Sequence, residues 1–267
     1  MGLTGGAATR PRAIRFLGVD FDPLAPGEAL AWVAAAAEAA DRFAYVVTPN
    51  VDHVVMLHEP GPEPWRDGYR AALAAADLRL NDSRILARLA RLSGLSLPVT
   101  PGSDLTRDLV ARAAAAGPGR WLLVGGAPAE ADWLRQRLPG HSIAHYDPPM
   151  GVRDDPAAQA AIAERVVAER ADVTLFAIGA PQSEIVAHAI ARRGRARGVA
   201  LCIGASVEFL SGAKRRAPRL IQRAGLEWLH RLASEPRRLW RRYLVRGPRI
   251  FALWWRERAR NRDGGAA

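Results

Sequence analysis

The sequence predicts an α/β protein: a Rossmann-like, mainly parallel sheet flanked by helices, with a basic helical appendage at its C-terminal end. Three observations point there. Short runs rich in Val, Ile, Leu and Phe alternate with Ala- and Arg-rich stretches of helical period. Most of those runs lack an apolar–polar alternation, as expected of strands whose two faces are both covered by helices. Past Gly212 the texture changes to arginine-rich segments punctuated by Pro218, Pro236 and Pro248, each placed to start a helix.

In chain order the predicted strands are Ile14–Val19, Ala44–Thr48, Leu78–Leu80, Trp121–Val124, Ser142–His145, Val173–Ile178 and Val199–Ile203. Helices fill the intervals, among them one starting at Pro26-Gly27, one over Val51–His58 and one over Arg84–Leu92. In such sheets functional groups gather beyond the carboxyl ends of the strands, where loops and helix N-termini converge. Those ends read Thr48-Pro49-Asn50, Asn81-Asp82-Ser83, Gly125-Gly126-Ala127-Pro128, Gly179-Ala180-Pro181-Gln182-Ser183-Glu184 and Gly204-Ala205-Ser206. Small residues let a ligand approach the backbone, and helix N-termini offer N–H groups to an anion, so a nucleotide site is the first expectation. In the tail, Leu239, Trp240, Tyr243 and Leu244 form one apolar stripe, and Ile250, Phe251, Trp254 and Trp255 repeat it. The chain is therefore divided into residues 1–212, an α/β domain, and 213–267, a basic amphipathic appendage.

Length and composition bound the function. A chain of 267 residues with 49% hydrophobic content can bury a sizeable core. Neither a signal peptide nor an apolar run of the roughly 18 residues needed to span a bilayer is read, so a cytoplasmic location is expected. The lone Cys202 sits in the apolar VALCIGA and reads as a buried strand thiol rather than a nucleophile. The net charge of +11 is local: residues 211–267 hold 16 Lys and Arg against four Asp and Glu, together with four of the eight tryptophans. Such a tail suits a polyanionic surface, phospholipid or nucleic acid.

Several chemistries are disfavoured. The GGAPAEA segment lacks the G-x-G-x-x-G spacing of a dinucleotide fingerprint, the six histidines show no zinc-ligand spacing, and no G-x-S-x-G elbow occurs. Asp20 and Asp22 form a D-x-D that could hold a metal, but they read better as a loop pair. Asp82 could serve as a helix N-cap, as could its neighbours Asn81 and Ser83, so capping alone does not require the aspartate. Thr48 and Asn50 have a capping role before the next helix, and Glu184 can be a first-turn acid favoured by the helix dipole.

The strings TPNVDHV, NDSRILARLARLSG, VTPGSDL, LLVGGAP, IGAPQSE and GAKRRAPRLIQRAGLEWLHRLASEPRRLWRRYL stand in the order seen in the WecG/TagA/CpsF glycosyltransferase family, which the chain resembles from about Ile14 to Leu244. The resemblance implies an inverting, metal-independent enzyme without a cofactor. It would move a hexose or N-acetylhexosamine, such as N-acetylmannosamine, from a UDP-sugar to a polyprenyl-diphosphate-linked saccharide in surface polysaccharide assembly. On the matching positions Asp82 would be the general base, with Thr48 beside it in the catalytic crevice. Asn50, Ser103, Asp104, Gly125, Gly126, Gly179, Pro181, Gln182, Glu184 and Gly204 would bind substrate. Arg216, Arg231, Arg237 and Arg238 would meet the leaving diphosphate from an appendage folded over the site, whereas Arg241, Arg242, Arg246 and Arg249 read as contacts for lipid headgroups. The partners implied are the UDP-sugar, the lipid-linked acceptor and the anionic inner face of the plasma membrane, not nucleic acid, with room for a homo-oligomer. Many relatives carry Asp-Gly where this chain has Asp82-Ser83, and Pro-Lys-Gln-Glu where it has Pro181-Gln182-Ser183-Glu184. The alternatives are a nucleic-acid-binding protein using the aromatic, basic tail, and an inactive sugar-nucleotide-binding homologue.

Overall fold

The first apolar run does not stay one strand. In the computed structural model, which describes residues 12–61, 63–214, 217, 218, 221 and 226–263, it splits into an antiparallel hairpin of β1 (Ile14–Phe16) and β2 (Val19–Phe21). The loop between them is Leu17-Gly18, both at positive φ. A two-residue loop with both residues left-handed matches the natural twist of a hairpin. Leucine rarely adopts that conformation. Here its backbone is held from both sides, the N–H by Oε1 of Glu257 at 3.1 Å and the carbonyl by Nε2 of His58 at 3.0 Å.

The remaining strands behave as the sequence predicts. They are β3 (Phe43–Val47), β4 (Leu78–Arg79), β5 (Arg120–Val124), β6 (Ser142–Tyr146), β7 (Val173–Phe176) and β8 (Gly198–Cys202), and they form one parallel sheet in the order β4-β3-β8-β7-β5-β6. Every residue of β3, β7 and β8 is buried, which accounts for their nearly continuous apolar runs, broken only by Thr174. Two core clusters result, one including Phe16, Tyr45, Tyr69 and Phe176 and the other Val33, Leu109, Leu123 and Leu201.

The helices joining the strands are α1 (Pro26–Ala39), α2 (Val51–Leu57), α3 (Pro64–Ala75), α4 (Arg84–Leu92), α5 (Gly102–Ala114), α6 (Pro128–Arg137), α7 (Pro156–Glu169), α8 (Gln182–Arg193) and α9 (Ser206–Leu210). Because all six strands run the same way, the loops after β3, β4, β5, β7 and β8 emerge on one edge.

Among the described residues the tail is mostly helical and lies against the body. It comprises α10 (Glu227–Ser234), α11 (Pro236–Trp240) running into a π-helical turn (Arg241–Arg246), and α12 (Arg249–Asp263). Pro236 occupies the first turn of α11, where its missing N–H costs nothing. The predicted stripe of α12 divides in two. Ile250 is 1% exposed, and Trp254 packs on the core and donates from Nε1 to Oγ of Ser93 at 2.9 Å. Phe251 and Trp255, one turn apart, face outward.

Candidate active site

Asp82 follows β4 at the edge of the sheet where β3 also ends. Its backbone N–H donates to the carbonyl of Pro49 at 3.1 Å, tying the loop after β4 to the loop after β3. Capping of α4 falls to its neighbours: Oγ of Ser83 accepts from Leu86 N–H, and Oδ1 of Asn81 accepts from Ser83 N–H. The half-buried Asp82 carboxyl is thus left for other work. Burial pushes it up to about 6, against the pull of Arg231 and of a hydrogen bond from Asn50, with Glu227 adding to the rise. A carboxylate titrating there can take a proton near neutral pH.

Asn50 caps α2, its Oδ1 accepting from the N–H groups of Asp52 and His53 at 3.0 and 3.5 Å. Its amide N–H is what remains for Asp82. Thr48 is buried and donates from Oγ1 to the carbonyl of Cys202 at 3.4 Å, joining the ends of β3 and β8. Gly102, at the start of α5, comes so close that a methyl group there would meet Oγ1 of Thr48 at 3.0 Å and Oγ of Ser206 at 3.5 Å. Glycine permits that approach. Ser103 and Asp104 follow on the first turn of α5, where Asp104 accepts from Arg107 at 2.9 Å.

The other predicted positions are more dispersed. Gly125 and Gly126 follow β5, and the helix N-terminus they introduce is already served by a carboxylate of the chain, since Oε2 of the buried Glu130 accepts from Ala127 N–H. Gly179 follows β7, two strands from β3, and Gly204 follows β8 between them. The Gln182 amide is tied to the carbonyl of Ile178, while Pro181 and Gln182 line a cleft. Glu184 is 2% exposed and faces inward. Arg231 reaches the site from α10, its guanidinium 4.5 Å from the centroid of the Phe209 ring and its Nη2 3.2 Å from Glu227. Arg237 and Arg238 are exposed on α11, Arg238 paired with Glu235 at 2.9 Å. Arg216 lies outside the described residues.

The cleft, of about 820 Å³, opens between α2, the 151–154 turn, the Ala180-Pro181 turn and the tail segment Arg238–Arg246. Most of its arginines have partners within the chain. Arg242 and Arg246 each lie 3.2 Å from Asp52, Arg246 also approaches Glu59, as does Arg249 just beyond the cleft, and Arg153 binds Asp154. Three of the four tail arginines expected to meet lipid headgroups, Arg242, Arg246 and Arg249, therefore hold the tail on the body instead. The reason is the pair of acids on and just after α2, which sequence alone does not bring near the tail.

The D-x-D pair is engaged elsewhere. Asp20 pairs with Arg15 on the neighbouring strand at 2.9 Å, and buried Asp22 receives the backbone and guanidinium of Arg79. Among the described residues no group of three or more His, Cys, Asp or Glu side chains is arranged to hold a metal ion.

The profile of the Glycosyl transferase WecG/TagA/CpsF family matches residues 14–264. The chain belongs to that family. It is a glycosyltransferase. It is also similar to the N-acetylglucosaminyldiphosphoundecaprenol N-acetyl-beta-D-mannosaminyltransferase of Bacillus spizizenii, being 32% identical over 225 residues that cover 82% of each chain. No described helix is long and apolar enough to cross a membrane.

Sequence reasoning passed over three residues that the fold brings to this site: His53, one turn into α2; Glu227 on α10; and Tyr69 on α3. His53 stands within TPNVDHV and Glu227 within GLEWLHRL, so motif position could have singled out both. Nothing local marks Tyr69.

Proposed function

We propose that this glycosyltransferase moves a hexose or N-acetylhexosamine, with N-acetylmannosamine the first candidate, from a UDP-sugar to a polyprenyl-diphosphate-linked saccharide in cell-surface polysaccharide synthesis. The activity for which the Bacillus relative is named, mannosaminyl transfer to a diphosphoundecaprenol-linked N-acetylglucosamine, supports the acceptor class and the donor sugar. The observation that carries the mechanism is Asp82, held by Asn50 and raised to about 6 at the edge of the sheet. Its carboxylate accepts the proton of the acceptor hydroxyl as that oxygen attacks the anomeric carbon. The bond from that carbon to the UDP oxygen breaks, with inversion.

Charge on the departing diphosphate needs fixed cations. Arg231, whose charge acts on Asp82 from α10, supplies one, and Arg216, Arg237 and Arg238 are the further candidates. Thr48, Asn50, Ser103 and Asp104 line the acceptor side, while the turns at Gly125-Gly126, Gly179–Glu184 and Gly204 form the donor side. The engagement of Asp20 and Asp22 by arginines supports a route without a D-x-D metal.

The tail, 213–267, is an appendage that docks on the cytoplasmic face of the membrane. Leu226, Leu229, Trp240, Leu244, Phe251 and Trp255 are all more than 40% exposed there, which suits insertion at the headgroup boundary. Transfer from a panel of UDP-sugars to a short-chain polyprenyl-diphosphate N-acetylglucosamine, with the product anomer read by NMR, tests the reading. Turnover confined to water-soluble, lipid-free acceptors would overturn it.

A further inference from the structure

One acid of the Gly179–Glu184 turn is buried and faces inward. Glu184 is 2% exposed; its Oε1 lies 3.4 Å from Nε2 of His53, and its Oε2 has no hydrogen-bond partner. Fully buried Tyr69, whose hydroxyl is likewise unpartnered, is pushed up by burial and then by the charge of Glu184. A buried carboxylate with one oxygen unpartnered costs stability, so holding the fold together does not account for it.

His53 shows what the task is. Its Nδ1 faces the backbone N–H of Asn50 at 3.4 Å. A backbone N–H can only donate, so Nδ1 is the acceptor and the ring proton sits on Nε2, pointing at Glu184. Glu184 thereby selects the tautomer that His53 needs in order to hold Asn50. Asn50 in turn spends its Oδ1 on Asp52 and His53 and offers its amide N–H to Asp82.

We propose that Glu184 and His53 are positioning residues for the catalytic carboxylate, linked as Glu184 to His53 to Asn50 to Asp82. The inference rests on the reading of Asp82 as the base. It also moves Glu184 from the substrate-binding role expected of it to one behind the site. Arg231 and Glu227 face Asp82 from α10, Tyr69 faces His53 and Glu184 from α3, and Tyr45 and Cys202 sense Glu184 from β3 and β8.

The test is the pH profile of kcat/KM for Glu184→Gln, with Asp82→Asn beside it. Losing the carboxylate frees the His53 ring and slackens the Asn50 bond that holds Asp82 down. The acid limb therefore moves to higher pH, and kcat falls about tenfold to a hundredfold, with the KM for the UDP-sugar within twofold. A purely structural Glu184 would lower the melting temperature and leave the limb in place. An unmoved limb with kcat within twofold of the parent overturns the proposal.

Should Glu184→Gln not fold, substitutions of His53 decide the same question. His53→Leu removes both contacts and lowers kcat at least tenfold. His53→Asn puts an acceptor back near the Nδ1 position and recovers several-fold of that loss. Equal activity of the two variants overturns the proposal. Activity retained by Asp82→Asn would remove the base itself and this inference with it, whereas an inactive Asp82→Asn beside a normal Glu184→Gln removes only the inference.

Discussion

Arg246 donates to Oδ1 of Asp52 at 3.2 Å across 194 residues of chain. Arg242 approaches the other oxygen of the same carboxylate at 3.2 Å, so one acid on α2 receives two arginines of the tail. Asp52 also donates its backbone N–H to Asn50, the residue that holds Asp82. The tail's anchor and the candidate base are therefore neighbours on one short helix.

Asp52→Ala should loosen the tail without unfolding the body. The pair is partly exposed, so screening limits its strength, and a loss of about 1–2 kcal/mol is expected. That loss should be local, because the core strands do not depend on Asp52. Hydrogen exchange is the measurement: amides of Arg241–Arg246 should exchange faster while those of β3 and β8 keep their protection. Uniform loss of protection would show that the tail and body unfold as one.

Asp82→Asn should lose turnover by roughly a hundredfold to ten-thousandfold, the usual worth of general base catalysis, yet gain stability. Burial raises the Asp82 pKa from 3.8 to about 6, so the folded state binds the proton more tightly than the unfolded chain does. The stability this contributes is fully present below pH 4 and is lost as pH rises through 6, leaving a cost of up to roughly 3 kcal/mol at pH 8, less where water screens the carboxylate. Asparagine removes that cost. The variant should melt higher than the parent at pH 8 and no higher at pH 4. In the parent, kcat/KM should fall about tenfold per pH unit below 6. An equal melting difference at both pH values would mean that Asp82 does not titrate in this range.

Much of this architecture was legible because burial on both faces leaves apolar runs that cannot be mistaken, as in VTLF and GVALC. The hairpin at Leu17-Gly18 was not, since a leucine at positive φ is disfavoured locally and persists here through Glu257 and His58, both distant in sequence. Asp82 could be singled out because Asn81 and Ser83 could do the capping instead, and they do. The inward turn of Glu184 and the pairing of Arg242, Arg246 and Arg249 with Asp52 and Glu59 were hidden. A glutamate in a first helical turn and a run of arginines both read as solvated until the helices opposite them are known.

Gly102→Ala probes the crevice from the side of α5. The new methyl would stand 3.0 Å from Oγ1 of Thr48, whose hydroxyl is bound to the Cys202 carbonyl and cannot simply swing away. Overpacking of this kind costs about 1–3 kcal/mol. Activity should suffer more than stability, because the displaced group lies between the ends of β3 and β8. A variant with normal kcat and an unchanged melting temperature would show that α5 can shift freely, and Thr48 would then have no strict position.

The two halves of the α12 stripe should separate membrane binding from folding. Ile250 is 1% exposed, so Ile250→Ala opens a cavity and should cost about 2–5 kcal/mol. Phe251 and Trp255 are 54% and 66% exposed, Trp255 meeting the ring of Trp254 edge-on, so folding buries little of either. Replacing both with alanine should leave the melting temperature within a degree or two and weaken sedimentation with anionic vesicles several-fold, since large apolar side chains beside arginines bind the headgroup boundary. High salt should weaken what remains, because the residual attraction is that of exposed cations such as Arg237 and Arg241. If the double variant still pelleted like the parent in high salt, the outward face of α12 would not be the membrane-binding surface. The exposed Trp240 and Leu244 of the preceding turn would then be the place to look.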